Sequence, residues 1–201
     1  MELHGRDAYK MLESYNIPVS RWGSVKDIYH AQLISHNISF PVLMKADCIE
    51  IEDKEKSGCL RVVHRHEDVE KNFNEISRKS RNMSKNTNEI ILQEHNEGIE
   101  SVIRVKEDDK FGKVIVFGHG GRHSGIMNDF SMRVIPITSR DAKEMVRETK
   151  IGNIVRKNEG SIVKTLLKVA ELAEMENVKS LEINPFIIGK NCRVGNARII
   201  K

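Results

Sequence analysis

Near the C-terminus, "SLEINPFIIGKNCRVGNARII" sets three oxygen-bearing side chains, Glu182, Asn184 and Asn196, into two otherwise apolar runs. Strand side chains alternate faces, so Glu182 and Asn184 share one face while Leu181 and Ile183 share the other. With a turn at Gly189-Lys190-Asn191, Ile188 opposes Cys192 and Asn184 opposes Asn196. Directly opposed residues lie ~5 Å apart at Cβ. One carboxylate and two amide oxygens on one face suit a hard cation such as Mg2+, which takes oxygen ligands and shares them with phosphates. The same pattern also suits the solvent-facing side of an amphipathic hairpin, and a two-residue turn would break the Asn184–Asn196 pairing.

Other stretches suit anions. Lys45 ends the apolar run "PVLMK", where a lysine either places a point charge on a phosphate or stands exposed at a strand end. "GHGG" follows a buried run, and Gly120 and Gly121 there let backbone N–H groups approach an anion. Arg133, in "MRVIP", either stabilises phosphate charge or pairs with a surface carboxylate. In "HRH", His64 and His66 fall on one face of a strand, with no third metal ligand beside them. His119 and His123 flank the glycine turn, and these four histidines read as surface or structural residues, with a relay role for one of them as the alternative.

These residues need elements to position them. Ala8, Met11, Leu12 and Tyr15 recur at helical spacing, with Asn16 ending the helix and Pro18 beyond it. Val25, Ile28, Leu33 and Ile34 repeat the pattern. "FPVLMKA" and "CLRVV" read as strands around a charged loop, and Val69, Phe73 and Ile76 give the next helix one apolar face. "NMSKNTN" is a loop and a lobe boundary. "EIILQEH", "IESVIRVKED", "KVIVFGH" and "SMRVIPI" are strands. "SRDAKEMVRET" is a helix with Ser139 as its N-cap, and "SIVKTLLKVAELAEME" is the clearest amphipathic helix. Hairpins mixed with helices argue for an α+β chain rather than a strictly alternating parallel sheet.

The totals bound the rest. A chain of 201 residues holds one large domain or two lobes sharing a core. With 39% hydrophobic and 31% charged residues it reads as soluble and globular. The net charge of +4 is spread along the sequence and aromatics are only 5%, which argues against nucleic acid and fits a small anionic ligand. Cys48, Cys59 and Cys192 form neither a disulfide framework nor a CxxC pair, so a reducing compartment is expected. No apolar run approaches the roughly 20 residues of a membrane span, and "MELHGRDAYK" is too charged for a signal peptide. A cytoplasmic protein with no membrane partner follows as the expectation.

Taken in order, "LESYNIPV", "FPVLMKA", "ILQEHNEGIESVIRV", "EDDKFGKVIVFGHGG", "MRVIPITSRDAKEMV", "LEINPF" and "NARII" resemble the ATP-grasp β subunit of ADP-forming acyl-CoA synthetases, the acetate–CoA ligases among them. The resemblance spans nearly the whole chain. It implies an α+β ATP-grasp fold of two lobes with the nucleotide site between them. The smaller lobe would be residues 20–88, and the larger residues 1–19 with 89–201. It also implies Mg2+ as cofactor, ATP or ADP as substrate, and a hetero-oligomer with a CoA-binding α subunit. A phosphohistidine of that subunit would exchange its phosphoryl group with ADP.

By the same resemblance Lys45 is the nucleotide lysine, and Gln93, Glu94 and His95 meet the adenine mainly through backbone groups. Glu100 stands near the ribose or the metal, Gly120 and Gly121 form the glycine-rich turn, and Arg133 matches a nucleotide arginine. Glu182, Asn184 and Asn196 hold Mg2+. Three positions depart from the family. "DKEKSGC" sets Asp53 where a histidine of a His-Lys run stands, which leaves the catalytic residue unassigned. Gly125 replaces a glutamate after the glycine turn, and Asn196 replaces a Mg2+-binding aspartate, keeping an oxygen but losing its charge. These departures set an alternative beside the synthetase reading: a catalytically degenerate ATP-grasp protein with a nucleotide-binding, regulatory or structural role. An ATP-grasp ligase acting alone is a further alternative.

Overall fold

The computed structural model describes residues 1–51, 53–86, 89–121 and 129–201. They form two compact units. One comprises Met1–Leu3, Asp7–Val19 and Asn96–Lys201, the other His4–Arg6 and Ser20–His95. The chain opens with β1 (Glu2–His4) and α1 (Gly5–Ser14). Ala8 and Leu12 of α1 are fully buried, and the chain leaves the helix through Asn16 at φ 54°, a left-handed position that asparagine tolerates.

The smaller unit follows with β2 (Trp22–Val25), α2 (Ile28–Asn37), β3 (Val42–Ala46), β4 (Leu60–Val63), α3 (Val69–Met83) and β5 (Ile90–Glu94). The sequence extends the second helix back to Val25. In the structure Val25 closes β2, because Asp27 caps α2 by accepting a 2.9 Å hydrogen bond from the His30 N–H. The four strands run in the order β2-β5-β3-β4, each antiparallel to its neighbour. β5 sits inside this sheet, paired with both β2 and β3, and this compact unit takes in Ser20–His95. Val42, Met44, Ala46, Val63, Ile90 and Leu92 face α2 and α3 and form one core with Val69, Phe73 and Ile76. The alternate positions, Leu43, Lys45, Ile91 and Gln93, fall on the other face.

The larger unit contains β6 (Ile99–Asp108), β7 (Gly112–His119), β8 (Phe130–Val134), α4 (Ser139–Glu148), α5 (Lys150–Ile154), α6 (Glu159–Met175), β9 (Ser180–Ile188), β10 (Cys192–Val194) and β11 (Ala197–Ile200). Its sheet runs β1-β11-β9-β6-β7-β8, with β10 paired to β9. Val105, Ile115, Leu181 and Ile199 lie on one face and are buried with Ile162, Leu166 and Val169 of α6. Each such aliphatic side chain contributes ~1.5–3 kcal/mol when fully removed from water. Thr138, not Ser139, caps α4. Its hydroxyl accepts from the Asp141 N–H while the Asp141 carboxylate accepts from the Thr138 N–H, a reciprocal pair that Ser139 at the first helical position cannot make. No helix among the described residues is long and apolar enough to cross a membrane.

Candidate functional site

The C-terminal hairpin adopts the register expected from its turn. Cys192 faces Ile188, Ala197 faces Ile183, and the Asn184 N–H donates to the Asn196 carbonyl at 3.1 Å. Asn184 and Glu182 meet directly, with Asn184 Nδ2 donating to Glu182 Oε1 at 3.3 Å. Asn184 Oδ1 accepts from the Gly121 N–H at 3.1 Å, which fixes the amide against the glycine-rich turn. The Gly120 N–H donates to the Glu100 carbonyl at 3.0 Å. Both glycines are required here. A Cβ at Gly120 would lie 2.4 Å from the backbone of Ser101, and one at Gly121, where φ is +76°, would lie 2.3 Å from Glu100 Oε2. Glu100, Gly120, Gly121, Glu182 and Asn184 are therefore joined into one patch of the larger unit, and Asn196 is tied to it through its backbone.

Arg104 completes the patch. It faces Glu182 across the β6–β9 ladder and donates to Glu182 Oε1 at 3.3 Å. Nothing in the sequence short of the β6–β9 register points to this pair. Arg133 stands elsewhere. It faces Ile115, so its side chain projects from the helix-covered face, whereas Glu182, Arg104, Val116 and Met132 share the opposite one. There it donates to Glu148 of α4 at 2.5 and 3.1 Å, and this hydrogen-bonded pair pushes its pKa up. Of the two sequence alternatives for Arg133, pairing with a carboxylate is the one its surroundings provide. Gly125 and His123 lie outside the described residues.

In the smaller unit the site centres on Lys45. The residue is 4% exposed and pairs with Leu60 on β4 and Ile91 on β5. Burial pushes its pKa down to about 7, the Lys54 ammonium adds to the shift, and Asp47 opposes it. Lys54 is itself lowered by burial, with Asp47 opposing. Asp47 Oδ2 accepts from the Arg6 N–H at 3.1 Å, and His4 Nε2 lies 3.4 Å from its Oδ1. Gly5, at φ +48°, leaves room for this carboxylate, since a Cβ would sit 1.8 Å from Oδ1. Gln93 is 1% exposed and lies on the same face as Lys45, one diagonal step across the β3–β5 ladder. Glu94 is held by Arg21 at 3.4 Å, and the His95 N–H donates to the Pro41 carbonyl at 3.1 Å.

Sequence reasoning missed Lys54 and Asp47. The signal for Lys54 was its place directly after Asp53, where the family's His-Lys run has its lysine. Asp47 carries no local signal, because Gly5 and Arg6 reach it from more than forty residues away in sequence. Asp53 itself is exposed and caps a turn. Its Oδ1 accepts from the Lys56 N–H at 2.9 Å and Lys56 Nζ lies 3.2 Å from Oδ2, which holds the carboxyl below its usual range. His64 is exposed, and His66 accepts or donates at 2.9 Å to Ser35 Oγ through Nδ1 and stacks on His36.

Among the described residues no three His, Cys, Asp or Glu side chains are close enough to hold a metal between them. Glu182 offers one carboxylate, with Asn184 and Asn196 adding hard amide oxygens. Such a set fits Mg2+ only when phosphates supply further oxygens, as that ion commonly arranges.

A four-stranded sheet with a buried strand lysine, and a larger sheet whose hairpin carries Glu-x-Asn beside a glycine turn, together define the ATP-grasp class. The family profile described as "ATP-grasp domain" matches residues 1–200, and the chain belongs to that family. ADP-forming acetate–CoA ligases are among its relatives. The chain is 31% identical to the β subunit of acetate–CoA ligase II from Pyrococcus furiosus, over 96% of this chain and 89% of that subunit. It is 31% identical to acetate–CoA ligase II from Archaeoglobus fulgidus over its full length, but spans only 30% of that protein. Among solved structures, the dinucleotide-forming acetyl-coenzyme A synthetase 1 of Ca. Korarchaeum cryptofilum superposes with a TM-score of 0.89 at 27% identity, covering 99% of this chain and 93% of that one. That structure holds coenzyme A and Ca-AMPCP. A second structure of the same synthetase, with coenzyme A and Mg-AMPPCP, has its phosphohistidine segment pointing towards the nucleotide binding site (TM-score 0.84, 25% identity, 99% and 92% coverage).

Proposed function

We propose that this chain is the nucleotide-binding β subunit of an ADP-forming acyl-CoA synthetase, moving a phosphoryl group between a partner phosphohistidine and ADP or ATP. The observation that carries the reading is Lys45, a buried lysine on the sheet face away from the helices, in a chain that matches an acetate–CoA ligase β subunit almost end to end. In this reading Lys45, assisted by Lys54, neutralises phosphate charge. Gln93, Glu94 and His95 line the adenine, largely through backbone groups. Glu182, Asn184 and Asn196 hold Mg2+, which would shield the phosphate oxygens when bound. Glu100 and the Gly120–Gly121 turn orient the hairpin residues. Phosphoryl transfer of this type is mostly positioning and charge neutralisation, so a chain supplying cations and a metal seat contributes most of what one half-reaction needs. A CoA-binding α subunit supplies the acyl and CoA sites and the histidine, and a cytoplasmic setting suits that chemistry.

Asp53 favours a second reading. Its carboxylate stands at the position of the family's histidine and is engaged in capping a turn, as expected of a nucleotide-binding protein that has lost the relay. One experiment separates the two. The chain is mixed with an α subunit from an acetate–CoA ligase and given acetyl-CoA, ADP, phosphate and Mg2+. ATP formation supports the synthetase. Tight Mg2+-dependent ADP binding without ATP formation, reversed by Asp53→His, supports the degenerate reading. Absence of any nucleotide binding rejects both.

A further inference from the structure

The larger unit contains a cavity of about 220 Å3 that the nucleotide reading does not use. Its walls are one face of α6, the turn between β9 and β10, and the chain just after α1. Four cations line it, Lys164, Lys168, Lys190 and Arg193, and no carboxylate does. The formal charge of the whole chain is only +4, so this one cavity gathers a local excess equal to the total. None of the four forms an ion pair with a carboxylate among the described residues. Lys164 and Lys168 stand four residues apart on α6, where like charges repel and weaken a helix. Lys190 and Arg193 bring two more cations to the same place from a separate segment.

The cavity is also built rather than open side-chain clutter. Lys168 Nζ donates to the Asn16 carbonyl at 2.7 Å and Asn158 Nδ2 donates to the Gly189 carbonyl at 3.0 Å, tying the three walls together. Thr165, 2% exposed, donates its hydroxyl to the Ser161 carbonyl at 3.0 Å and closes the floor, while Ser161 brings its own hydroxyl to the lining. Cations interleaved with hydroxyl and amide groups are the donors that bind phosphate oxygens. The volume decides the size of the guest. Drug-sized ligands need ~300–1,000 Å3, so this space takes one or two phosphate groups and not a whole nucleotide. Ile188, at the cavity end of β9, is six residues beyond Glu182, or ~20 Å at 3.3 Å per residue.

We propose that this cavity is a second anion site, for a small phosphate-bearing ligand of the size of pyrophosphate, separate from the nucleotide site. The assignment does not rest on the nucleotide reading. Its test is calorimetric titration of metal-free pyrophosphate into the full chain, the Lys164→Glu/Lys190→Glu variant and the Lys45→Met variant. Lys164 and Lys190 are exposed, so the charge reversals leave the core intact. A thermal melt checks this, and Lys164→Gln/Lys190→Gln replaces the pair if the reversed one unfolds. The expected result is one bound pyrophosphate in the wild type, at least tenfold weaker binding in the double variant, unchanged binding in Lys45→Met, and affinity that falls with ionic strength. No binding at millimolar pyrophosphate overturns the proposal. So does binding that survives the double variant, or binding lost in Lys45→Met instead, which places the anion at the nucleotide lysine. Binding of poly-glutamate in the absence of pyrophosphate binding also overturns it and makes the patch a protein-docking surface.

Discussion

Lys45 and Glu182 occupy matching places on two different sheets, each on the face opposite the helices, yet their surroundings are opposite in kind. Lys45 is buried, and desolvation with a second lysine nearby lowers its pKa to about 7. Its positive charge is thus held at a cost that an arriving phosphate would relieve. Glu182 is about half exposed and already paired with Arg104. Arg104 and Asn184 both donate to its Oε1, and the hydrogen bond from the Gly121 N–H to Asn184 fixes its surroundings. One region stores electrostatic energy and the other stores orientation. Both come from the same rule, that strand residues alternate between a helix-covered face and a second face free for chemistry.

The contrast is broken most strongly at Lys45. The unfolded lysine titrates near 10.5 and the folded one near 7. Below pH 7 both states carry the proton and the burial cost is fully present. Between 7 and 10.5 the unfolded chain binds more protons, so stability rises with pH, and above 10.5 the cost is gone. Lys45→Met should therefore stabilise the protein by as much as ~4 kcal/mol at pH 7 and flatten that rise, while abolishing nucleotide binding. Urea titrations at pH 7 and pH 10 measure it, and destabilisation by this variant at pH 7 would mean that the contacts of the ammonium outweigh the cost of burying it.

Gly120→Ala is next. A Cβ 2.4 Å from the Ser101 backbone cannot be absorbed by a side-chain rotation, so a loss of ~3 kcal/mol is expected, at the upper end for overpacking. Gly160, whose Cβ would meet nothing within 4 Å, is the control and should tolerate alanine. Chemical unfolding of the two variants side by side gives the comparison.

Glu182→Gln sharpens the other half. It removes the one carboxylate of the proposed Mg2+ seat, so Mg2+-dependent ADP affinity should fall about tenfold, or ~1.4 kcal/mol. Affinity measured in EDTA should not change. An equal loss in both conditions would make Glu182 a nucleotide contact and not a metal ligand.

Nucleotide binding should also report on Lys45 by proton uptake. With its pKa pushed down to about 7, Lys45 is partly neutral at slightly alkaline pH before nucleotide arrives. Phosphate contact restores the proton, so calorimetry in buffers of different ionisation enthalpy should show net proton uptake on ADP binding at about pH 7.5. No uptake would place the phosphates away from Lys45. The smallest effect is expected at Arg133. Its pair with Glu148 lies at the surface of α4 and β8, so Arg133→Ala should cost ~0.5–1 kcal/mol in stability. ADP affinity should stay as it was, and a clear drop would return Arg133 to the nucleotide site.

Much of this was legible in the chain. The turn at Gly189-Lys190-Asn191 set the hairpin register, and period-two alternation put Glu182 and Asn184 on one face before any contact was seen. The apolar spacing of Val69, Phe73 and Ile76 gave α3 its buried side. Such features depend on residues a few places apart, which a sequence displays directly. The cap at Thr138 was misplaced by one residue because both neighbours are good caps and only the reciprocal bond with Asp141 chooses between them.

What the tertiary structure alone decided is which charges meet. Arg104 reached Glu182 across seventy-eight residues, Arg133 turned to Glu148, and Asp47 came to Lys45 with Gly5 packed against it. The four cations of the α6 cavity, two on the helix and two more than twenty residues further on, were gathered by the packing of a helix against a turn. Local pattern fixes where a side chain points. Its protonation and its partners depend on how much water is removed and which distant groups arrive, and those are set only when the sheets close.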